Sequence, residues 1–287
     1  MTATAGLLAS DVTIAYDGVD VVHGADLLLP RGRVTALIGP NGSGKSTLLR
    51  AIARLKDARS GSVLLPAQAA AGVTGDTDEA DAMIDAIALS RPEFARRVTL
   101  LAQSRPTPAG LSVREVVGFG RHPYRRRFRS TDPDGRAAVD RALELTGVAP
   151  FADRGVESLS GGQLQRVWLA CCLAQETDVL LLDEPTTYLD LRYQVEILDL
   201  VRELADLHGV TVGLVLHDLD QAAAVSDRVV LLREGRVVAA GSAAEVYDPA
   251  LLTDVYGIRI EVETDPISGA PRTRAVGAHH LRTERTR

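Results

Sequence analysis

Two hydrophobic periods recur along the chain and together predict an α/β protein. Val34–Ile38, Val98–Leu101 and Val179–Leu182 are short apolar runs, as expected of parallel strands that are buried on both faces. Lys45–Arg54 and Leu191–Leu207 instead repeat apolar residues with a period of about 3.6, which predicts amphipathic helices. Because strands and helices alternate in the first and last thirds, we expect a mainly parallel sheet covered by helices.

The middle of the chain has a different pattern, in which helical segments follow one another without strands. The predicted helices there are Ser112–Phe119, Asp134–Thr146 and Gln163–Gln175. The remaining predicted strands are Leu7–Tyr16, Leu27–Leu29, Ser62–Leu65, Val210–Leu216, Val229–Leu232 and Val237–Ala240. This order predicts a sheet domain interrupted by a helical insertion. Pro66–Arg97 contains an acidic stretch without clear periodicity, and we interpret it as an irregular surface insertion without a catalytic role.

Composition narrows the function classes. The chain has 287 residues and a formal net charge of −6, which argues against sequence-independent nucleic-acid binding. No apolar run reaches the roughly 18–20 residues of a membrane span, and Met1–Asp11 lacks the basic start of a secretory signal, so a cytoplasmic location is expected. The only cysteines, Cys171 and Cys172, are adjacent and fit core packing better than a redox or metal role. Lys45 and Lys56 are the only two lysines.

A glycine-rich segment between the strand Val34–Ile38 and the helix Lys45–Arg54 carries the strongest chemical signal. It consists of Gly39, Pro40, Asn41, Gly42, Ser43, Gly44, Lys45, Ser46 and Thr47. This segment fits GxxxxGK[ST], the P-loop pattern, in which backbone N–H groups and a helix N-terminus surround phosphate oxygens. Lys45 supplies positive charge for the β- and γ-phosphates, and Ser46 supplies a hydroxyl for Mg²⁺. A chance glycine-rich turn would not require this strand and this helix on either side.

A second motif lies at the end of the strand Val179–Leu182. Asp183 and Glu184 follow that strand at the edge where α/β sheets place their ligands. Asp183 is suited to hold Mg²⁺, directly or through water, and Glu184 to polarise an attacking water. An apolar strand that ends in two acids is weak evidence by itself, and the P-loop gives it weight.

A third motif begins the helix in the middle of the chain. It consists of Leu159, Ser160, Gly161, Gly162 and Gln163. Ser160 is a good N-cap, and the two glycines leave the helix N-terminus bare, so its N–H groups are able to meet a phosphate. A capped helix with a flexible entry is the plainer interpretation, but it does not explain two glycines followed by glutamine.

With these three motifs in this order, the chain resembles the ATP-binding subunits of ATP-binding-cassette (ABC) transporters over about Leu7 to Gly269. The resemblance implies a P-loop NTPase (RecA-like) core with an N-terminal antiparallel β part and an inserted α-helical subdomain. The implied division is a nucleotide-binding core at 1–105 and 178–262 and a helical signature subdomain at 106–177. Residues 263–287 would then form a C-terminal extension with a disordered basic tail.

The resemblance also implies roles for four further residues. Tyr16 matches the aromatic residue that stacks on adenine, and this interpretation is favoured over an ordinary strand tyrosine. Gln103 matches the Q-loop glutamine, which contacts Mg²⁺ or water and senses the membrane partner. Asp190 matches the D-loop aspartate, and the N-cap of the next helix is an equally good interpretation. His217 matches the switch histidine that contacts the γ-phosphate, whereas a lone histidine at a strand end is more often structural.

The family mechanism implies further partners. Two subunits, identical or paired, would sandwich each ATP with its Mg²⁺ between the P-loop of one and the LSGGQ motif of the other. ATP would close this dimer, and hydrolysis at Glu184, His217 and Gln103 would release it. The helical subdomain would pass the movement to an integral-membrane permease, which would hold this chain at the cytoplasmic face of the membrane. An extracytoplasmic substrate-binding protein would deliver the substrate to that permease.

Three short segments resemble importers of iron–siderophore, haem and cobalamin complexes. They are Val113–Val117 with Gly120–Tyr124, Asp183–Leu191, and Tyr256–Gly257 through Asp265–Gly269. Other ABC transporters, such as exporters or lipid systems, and non-transport ABC ATPases remain alternatives, because they share the catalytic residues. An arginine cluster has two interpretations: a solvated loop, or a contact with the permease or anionic lipids. Its members are Arg121, Arg125, Arg126, Arg127 and Arg129.

Overall fold

A computed structural model describes residues 4–67, 82–103, 105, 108–125 and 132–277 of the protein. The strands are β1 (Ala5–Tyr16), β2 (Val19–Pro30), β3 (Val34–Ile38), β4 (Ser60–Pro66), β5 (Met83–Asp85), β6 (Val98–Leu101), β7 (Val179–Asp183), β8 (Thr211–Val215), β9 (Arg228–Arg233), β10 (Arg236–Gly241), β11 (Arg259–Thr264) and β12 (Pro271–Val276). The helices are α1 (Lys45–Ile52), α2 (Arg91–Ala95), α3 (Val113–Val117), α4 (Gly135–Leu145), α5 (Gly161–Leu173), α6 (Leu191–Asp206), α7 (Leu219–Val225), α8 (Ala243–Val246) and α9 (Pro249–Tyr256).

A six-stranded sheet in the order β10-β9-β3-β8-β7-β6 forms the centre of the protein. All neighbouring pairs are parallel except the β9–β10 hairpin. Every residue of β3 is buried, because hydrophobic clusters cover both faces of the sheet. Val34, Ala36 and Ile38 face a cluster that contains α6 and α7, whereas Leu37 faces the opposite cluster with α1. The α/β fold class is thereby confirmed.

A second, antiparallel sheet in the order β2-β1-β4-β5 covers the α1 side of the central sheet. The predicted strand Leu27–Leu29 is only the end of β2, which begins at Val19. Its first half was missed because Asp20, His23 and Gly24 interrupt the apolar pattern. Pairing with β1, from Tyr16↔Val19 to Ala5↔Pro30, keeps the whole strand extended.

The helices α3, α4 and α5, which follow β6 and precede β7 in the sequence, enclose a separate hydrophobic cluster. The predicted helix Ser112–Phe119 ends earlier, at Val117, and continues as a 3₁₀ turn over Gly118–Tyr124. Pro123 lies inside that turn, and it lacks the N–H that an α-helix would need there. The inserted helical part is therefore present, although the domain boundaries themselves stay predictions.

The interpretation of Pro66–Arg97 as irregular was wrong for its described second half. Met83–Asp85 pairs with β4, and Asp85 accepts a hydrogen bond from the N–H of Ile87 over 2.9 Å, which starts a 3₁₀ turn. Ser90 and Glu93 then form a capping box that starts α2. The remainder of the acidic stretch, 68–81, lies outside the described residues.

The C-terminal part folds back onto the core as an antiparallel hairpin of β11 and β12. Asp220 of α7 accepts hydrogen bonds from the backbone N–H and hydroxyl of Thr273, over 2.7 and 2.8 Å. The described part of the predicted extension, residues 263–277, belongs to this hairpin, and the remainder of the predicted extension and tail, 278–287, lies outside the described residues. Among the described helices, none is both long and apolar enough to cross a membrane.

Candidate functional site

The candidate site lies at the carboxyl edge of three adjacent strands, β3, β8 and β7. The P-loop follows β3, Asp183 ends β7 and His217 comes two residues after β8. Because these strands are parallel neighbours, their C-terminal ends meet at one edge. The topology therefore brings together motifs that are far apart in the sequence.

The P-loop bends sharply at Gly39, whose φ is 142°. A Cβ at this position would lie 2.1 Å from the carbonyl oxygen of Leu232, so only glycine fits between β3 and β9. Gly39, Ser43 and Gly44 are buried, Pro40 is half-buried, and Asn41 and Gly42 are exposed. The loop therefore packs firmly at its base and presents its tip to solvent.

Lys45 is almost fully buried, and its ammonium group lies inside the P-loop. The Nζ atom donates hydrogen bonds to the carbonyl oxygens of Gly39 and Pro40 over 2.8 and 2.9 Å. Burial lowers the pKa of Lys45, and the nearby Glu184 and Asp183 carboxylates partly oppose this shift. The P-loop thus holds a desolvated cation whose charge is only partly compensated, as expected of a group that receives a polyanion.

Two predicted metal ligands are in direct contact. Ser46 Oγ donates a hydrogen bond to Asp183 Oδ1 over 2.5 Å, and the Asp183 side chain is completely buried. The other carboxylate oxygen, Oδ2, lies 3.4 Å from Arg50 Nη2, on the exposed side of α1. Thr47 is half-buried in the first turn of α1. Ser46 and Asp183 therefore form one small oxygen-rich group beside the P-loop.

Glu184 brings together the three residues that were predicted to be catalytic. Gln103 Nε2 donates a hydrogen bond to Glu184 Oε2 over 2.5 Å, and His217 Nε2 lies 2.6 Å from Glu184 Oε1. Thr187 Oγ1 donates to Oε2 over 3.1 Å. The backbone of Glu184 has a φ of 54°, a conformation that costs a non-glycine residue energy and that concentrates at functional sites.

The signature motif begins α5 as predicted, with a capping box in which Ser160 and Gln163 bind each other's backbone N–H groups over 3.4 and 3.0 Å. Leu159 is half-buried against the helical cluster. Gly161 is exposed and has open space around its missing Cβ, whereas a Cβ on Gly162 would lie 2.6 Å from the ring of Tyr193. Within the described part of the chain, no hydrogen bond joins this motif to the P-loop.

Asp190 and Tyr16 lie outside this cluster of contacts. Asp190 Oδ1 accepts a hydrogen bond from the N–H of Tyr193 over 3.1 Å, so the N-cap interpretation is confirmed, and its D-loop role stays a prediction. Tyr188 and Leu191, on either side of it, are 96% and 74% exposed. Tyr16 ends β1 and is 40% exposed, with the ammonium of Lys56 above its ring.

Sequence reasoning missed Thr187, Arg50 and Tyr193 as residues of this region. Thr187 belongs to the DEPTTYLD segment, which was used only to compare family branches. Arg50 and Tyr193 belong to no motif. The contacts of Arg50 with Asp183 and of Tyr193 with Gly162 form only when the chain folds. A helix-face analysis of α1 would have placed Arg50 one turn after Ser46, on the same side.

The structure corrects the arginine cluster at Arg121. This side chain is 4% exposed and binds Asp132 over 2.7 Å and Glu176 over 2.6 Å, so it joins the 3₁₀ turn to the start of α4 and the end of α5. It is therefore not part of a surface patch. Arg125 is exposed, and the other members, Arg126, Arg127 and Arg129, lie outside the described residues.

The two cysteines agree with the core-packing interpretation. Cys172 is buried and Cys171 is partly buried on α5. Burial raises the pKa of Cys171 to about 12 and also raises that of Cys172. Since the thiolate is the reactive form, both thiols are held in their unreactive state.

Comparisons with known proteins agree with this geometry. The sequence profile described as "ABC transporter" matches residues 22–187. The chain is 38% identical over 275 residues to the ferric enterobactin transport ATP-binding protein FepC of Escherichia coli K12, covering 96% of both chains. It is 39% identical over 265 residues to the iron(3+)-hydroxamate import ATP-binding protein FhuC of Bacillus subtilis 168, covering 92% of this chain and 93% of that one.

A solved structure gives the same result at the level of the fold. The dimeric structure of MJ0796, a bacterial ABC transporter cassette, is similar with a TM-score of 0.67 and 26% sequence identity. The similarity covers 82% of this chain and 98% of that chain.

Proposed function

This chain belongs to the ABC transporter family and is an ABC-type ATPase, and we propose that it is the ATP-hydrolysing subunit of an importer for iron–siderophore complexes. The observation that carries the ATPase part is the convergence of Lys45, the Ser46–Asp183 pair and the Glu184 cluster at one sheet edge. The cargo class is supported by the names of the relatives FepC and FhuC.

ATP binding would begin at the P-loop. The triphosphate replaces the carbonyl oxygens of Gly39 and Pro40 as the partner of Lys45, and it meets the backbone N–H groups at the start of α1. Tyr16 would hold the adenine on its exposed ring. The free energy of binding then comes mainly from phosphate contacts, with a smaller stacking contribution.

The Ser46–Asp183 pair fits Mg²⁺, which prefers hard oxygen ligands and usually binds through one or two carboxylates together with phosphate oxygens. When bound, Mg²⁺ would neutralise charge that develops on the β- and γ-phosphates. Asp183 has no exposed side-chain surface, so its orientation is fixed before nucleotide arrives. Gln103 is the third proposed ligand, although here its amide nitrogen binds Glu184.

Hydrolysis would depend on Glu184 as the general base, which accepts a proton from the attacking water. Gln103, His217 and Thr187 hold its two carboxylate oxygens in place. His217 is exposed on its other side and would turn from Glu184 towards the γ-phosphate when ATP binds. These three contacts would keep the base oriented in the free protein.

A partner cassette would complete each site. The signature motif makes no hydrogen bond to the P-loop of its own chain among the described residues, and Gly161 at the start of α5 is open to solvent. Tyr188, Leu191 and Val195 form an exposed apolar group beside Asp190, and such groups are typical of protein interfaces. A head-to-tail pair, as the dimeric relative suggests, would bring LSGGQ of one chain to the ATP of the other.

The permease is the second proposed partner, and it would hold this chain at the cytoplasmic face of the membrane. The helical segment α3–α5 is joined to the nucleotide site through Gln103, which lies between β6 and α3. A movement of Gln103 with the γ-phosphate would therefore reach the surface of that segment. An extracytoplasmic binding protein would deliver the iron complex to the permease.

Transport by the purified complex tests this proposal. The transporter is isolated from its own cells through a tag on this chain, reconstituted in liposomes and supplied with ATP on the side of this subunit. We expect uptake of a radioactive ferric siderophore, and loss of uptake in a Lys45→Ala transporter, which lacks the phosphate-binding cation. Uptake of cobalamin alone, or export, would contradict the proposed cargo while leaving the ATPase assignment intact.

A further inference from the structure

The second of the two lysines lies beside the proposed adenine site. The Lys56 ammonium is 4.2 Å from the centre of the Tyr16 ring, well within the roughly 6 Å range of a cation–π contact. In a chain with 32 basic residues and only two lysines, both lysines are therefore in the region assigned to the nucleotide.

The backbone that carries Lys56 is fixed at both ends. The N–H groups of Leu55 and Lys56 donate to the carbonyl oxygen of Arg50 on α1, over 2.9 and 3.3 Å. Three residues later, Arg59 donates its N–H to the carbonyl oxygen of Thr13 on β1 over 2.7 Å. This short connection thus ties the helix that follows the P-loop to the strand that ends in Tyr16.

Lys56 is less exposed than the apolar residue that precedes it, Leu55. Leu55 is 68% exposed, whereas Lys56 is half-buried. A single exposed leucine is common on protein surfaces, whereas lysine is ordinarily exposed, so the half-buried Lys56 is the informative residue of this pair. The turn places the Lys56 ammonium over the aromatic ring of Tyr16.

We propose that Lys56 is a positioning residue for the nucleotide base, acting through Tyr16. Its ammonium covers one face of the ring and leaves the opposite face for adenine, so the cation and the base sit on either side of Tyr16. Lys56 also limits the rotation of a tyrosine that is 40% exposed. This inference rests on the proposed function, because it requires that Tyr16 binds adenine.

The affinity of Lys56→Met for ATP and for inorganic triphosphate provides the test. An exposed cation–π contact is worth about 0.5–1 kcal/mol, which is the most that Lys56 contributes by holding the ring in place, so its loss should weaken ATP binding by up to roughly two- to fivefold. We expect this loss for ATP, no change for triphosphate, a raised KM and an unchanged kcat. Lys56→Arg should bind ATP as the wild type does, because arginine also stacks on aromatic rings.

Tyr16 variants separate an effect through the ring from a general effect of charge. Tyr16→Phe keeps the ring, so Lys56→Met should weaken ATP binding to the same extent in that background. Tyr16→Leu removes the ring, and there Lys56→Met should have no further effect. Equal losses for ATP and triphosphate, or a persistent loss in the Tyr16→Leu background, would overturn the inference.

Chemical labelling tests whether Lys56 and adenine occupy opposite faces of the Tyr16 ring. Acetylation of the two lysines is followed by mass spectrometry, with and without ATP. We expect ATP to slow the labelling of Lys45 and to leave that of Lys56 unchanged or slower. Faster labelling of Lys56 would mean that adenine displaces it, which contradicts the inference but not the proposed function. Failure of ATP to bind the wild-type protein would instead reject both.

Discussion

Arg121 shows how a single buried side chain stabilises the helical part of the protein. It binds Asp132 and Glu176 and also donates to the carbonyl oxygen of Ala174 over 3.0 Å, so three segments meet at one guanidinium. From the sequence this residue was grouped with neighbouring arginines on a surface, because basic residues in a run are usually solvated. Its partners lie 11 and 55 residues away, and local patterns contain no information on such contacts.

The hydrogen bond from Arg121 lowers the pKa of Asp132 from its usual value of 3.8, and this shift gives a pH-dependent prediction. Because the folded-state pKa is lowered, the Asp132 carboxylate stabilises the fold above pH 3.8, and this contribution is lost as the pH falls through the folded-state pKa. We expect Asp132→Asn to unfold at lower denaturant concentration at pH 7, with a smaller difference from wild type in acid.

The matched variants for this ion pair are Arg121→Met and Arg114→Met. Removing buried Arg121 leaves the largely buried Asp132 carboxylate without its partner, whereas Glu176 keeps its ion pair with Arg141, and the loss should cost about 3–5 kcal/mol of unfolding free energy. Arg114 pairs with Asp140 at the surface, and its loss should change stability little. A pH-independent effect of Asp132→Asn, or equal effects of the two arginine variants, would contradict this account.

At the level of elements, the start of α5 combines two glycines that are required for different reasons. Gly162 is fixed by packing, because Tyr193 at the start of α6 occupies the space of a side chain. A Cβ on Gly161 would meet nothing within 4 Å, so no packing contact with the described residues requires glycine there. In this motif, Gly162 is therefore required for packing within the chain, whereas Gly161 leaves room for a ligand or a partner.

Alanine at each of these positions tests the distinction. Gly162→Ala should lower the unfolding free energy by about 1–3 kcal/mol through overpacking, and Tyr193→Ala should relieve much of that loss. Gly161→Ala should fold normally but lose ATP-dependent dimerisation, because its methyl group meets the partner's phosphate. Thermal unfolding and size-exclusion chromatography with ATP report the two effects. Normal dimerisation of Gly161→Ala would exclude a phosphate contact at this residue.

The extent to which the sequence predicted the elements follows from the range of the interactions involved. Strand β3, helix α6 and the caps at Ser160 and Asp190 depend on local periodicity and capping, and they were predicted correctly. The first half of β2 and the strand β5 form through pairing with β1 and β4, so their own residues carry little signal. The Lys56–Tyr16 contact likewise joins positions 40 residues apart, which no motif connects.

In the whole molecule, one sheet edge forms the proposed nucleotide site, and two other parts of the chain are connected to it. The Glu184 cluster lies between Gln103, next to the helical segment, and His217, next to α7. Asp220 on α7 binds Thr273 of the C-terminal hairpin, and α7 begins two residues after His217. A single change at the γ-phosphate would thus reach both the permease side and the C-terminal side.

We propose that Glu184 acts as the base for ATP hydrolysis in a dimer that ATP closes. The most direct measurement is steady-state ATP turnover of Glu184→Gln, together with its ATP affinity and its mass by light scattering, with exposed Glu203→Gln as the matched control. We expect turnover to fall by about 10²–10⁴-fold, as is typical for loss of a general base, with ATP binding retained and a stable ATP-bound dimer. Normal hydrolysis by Glu184→Gln would contradict it.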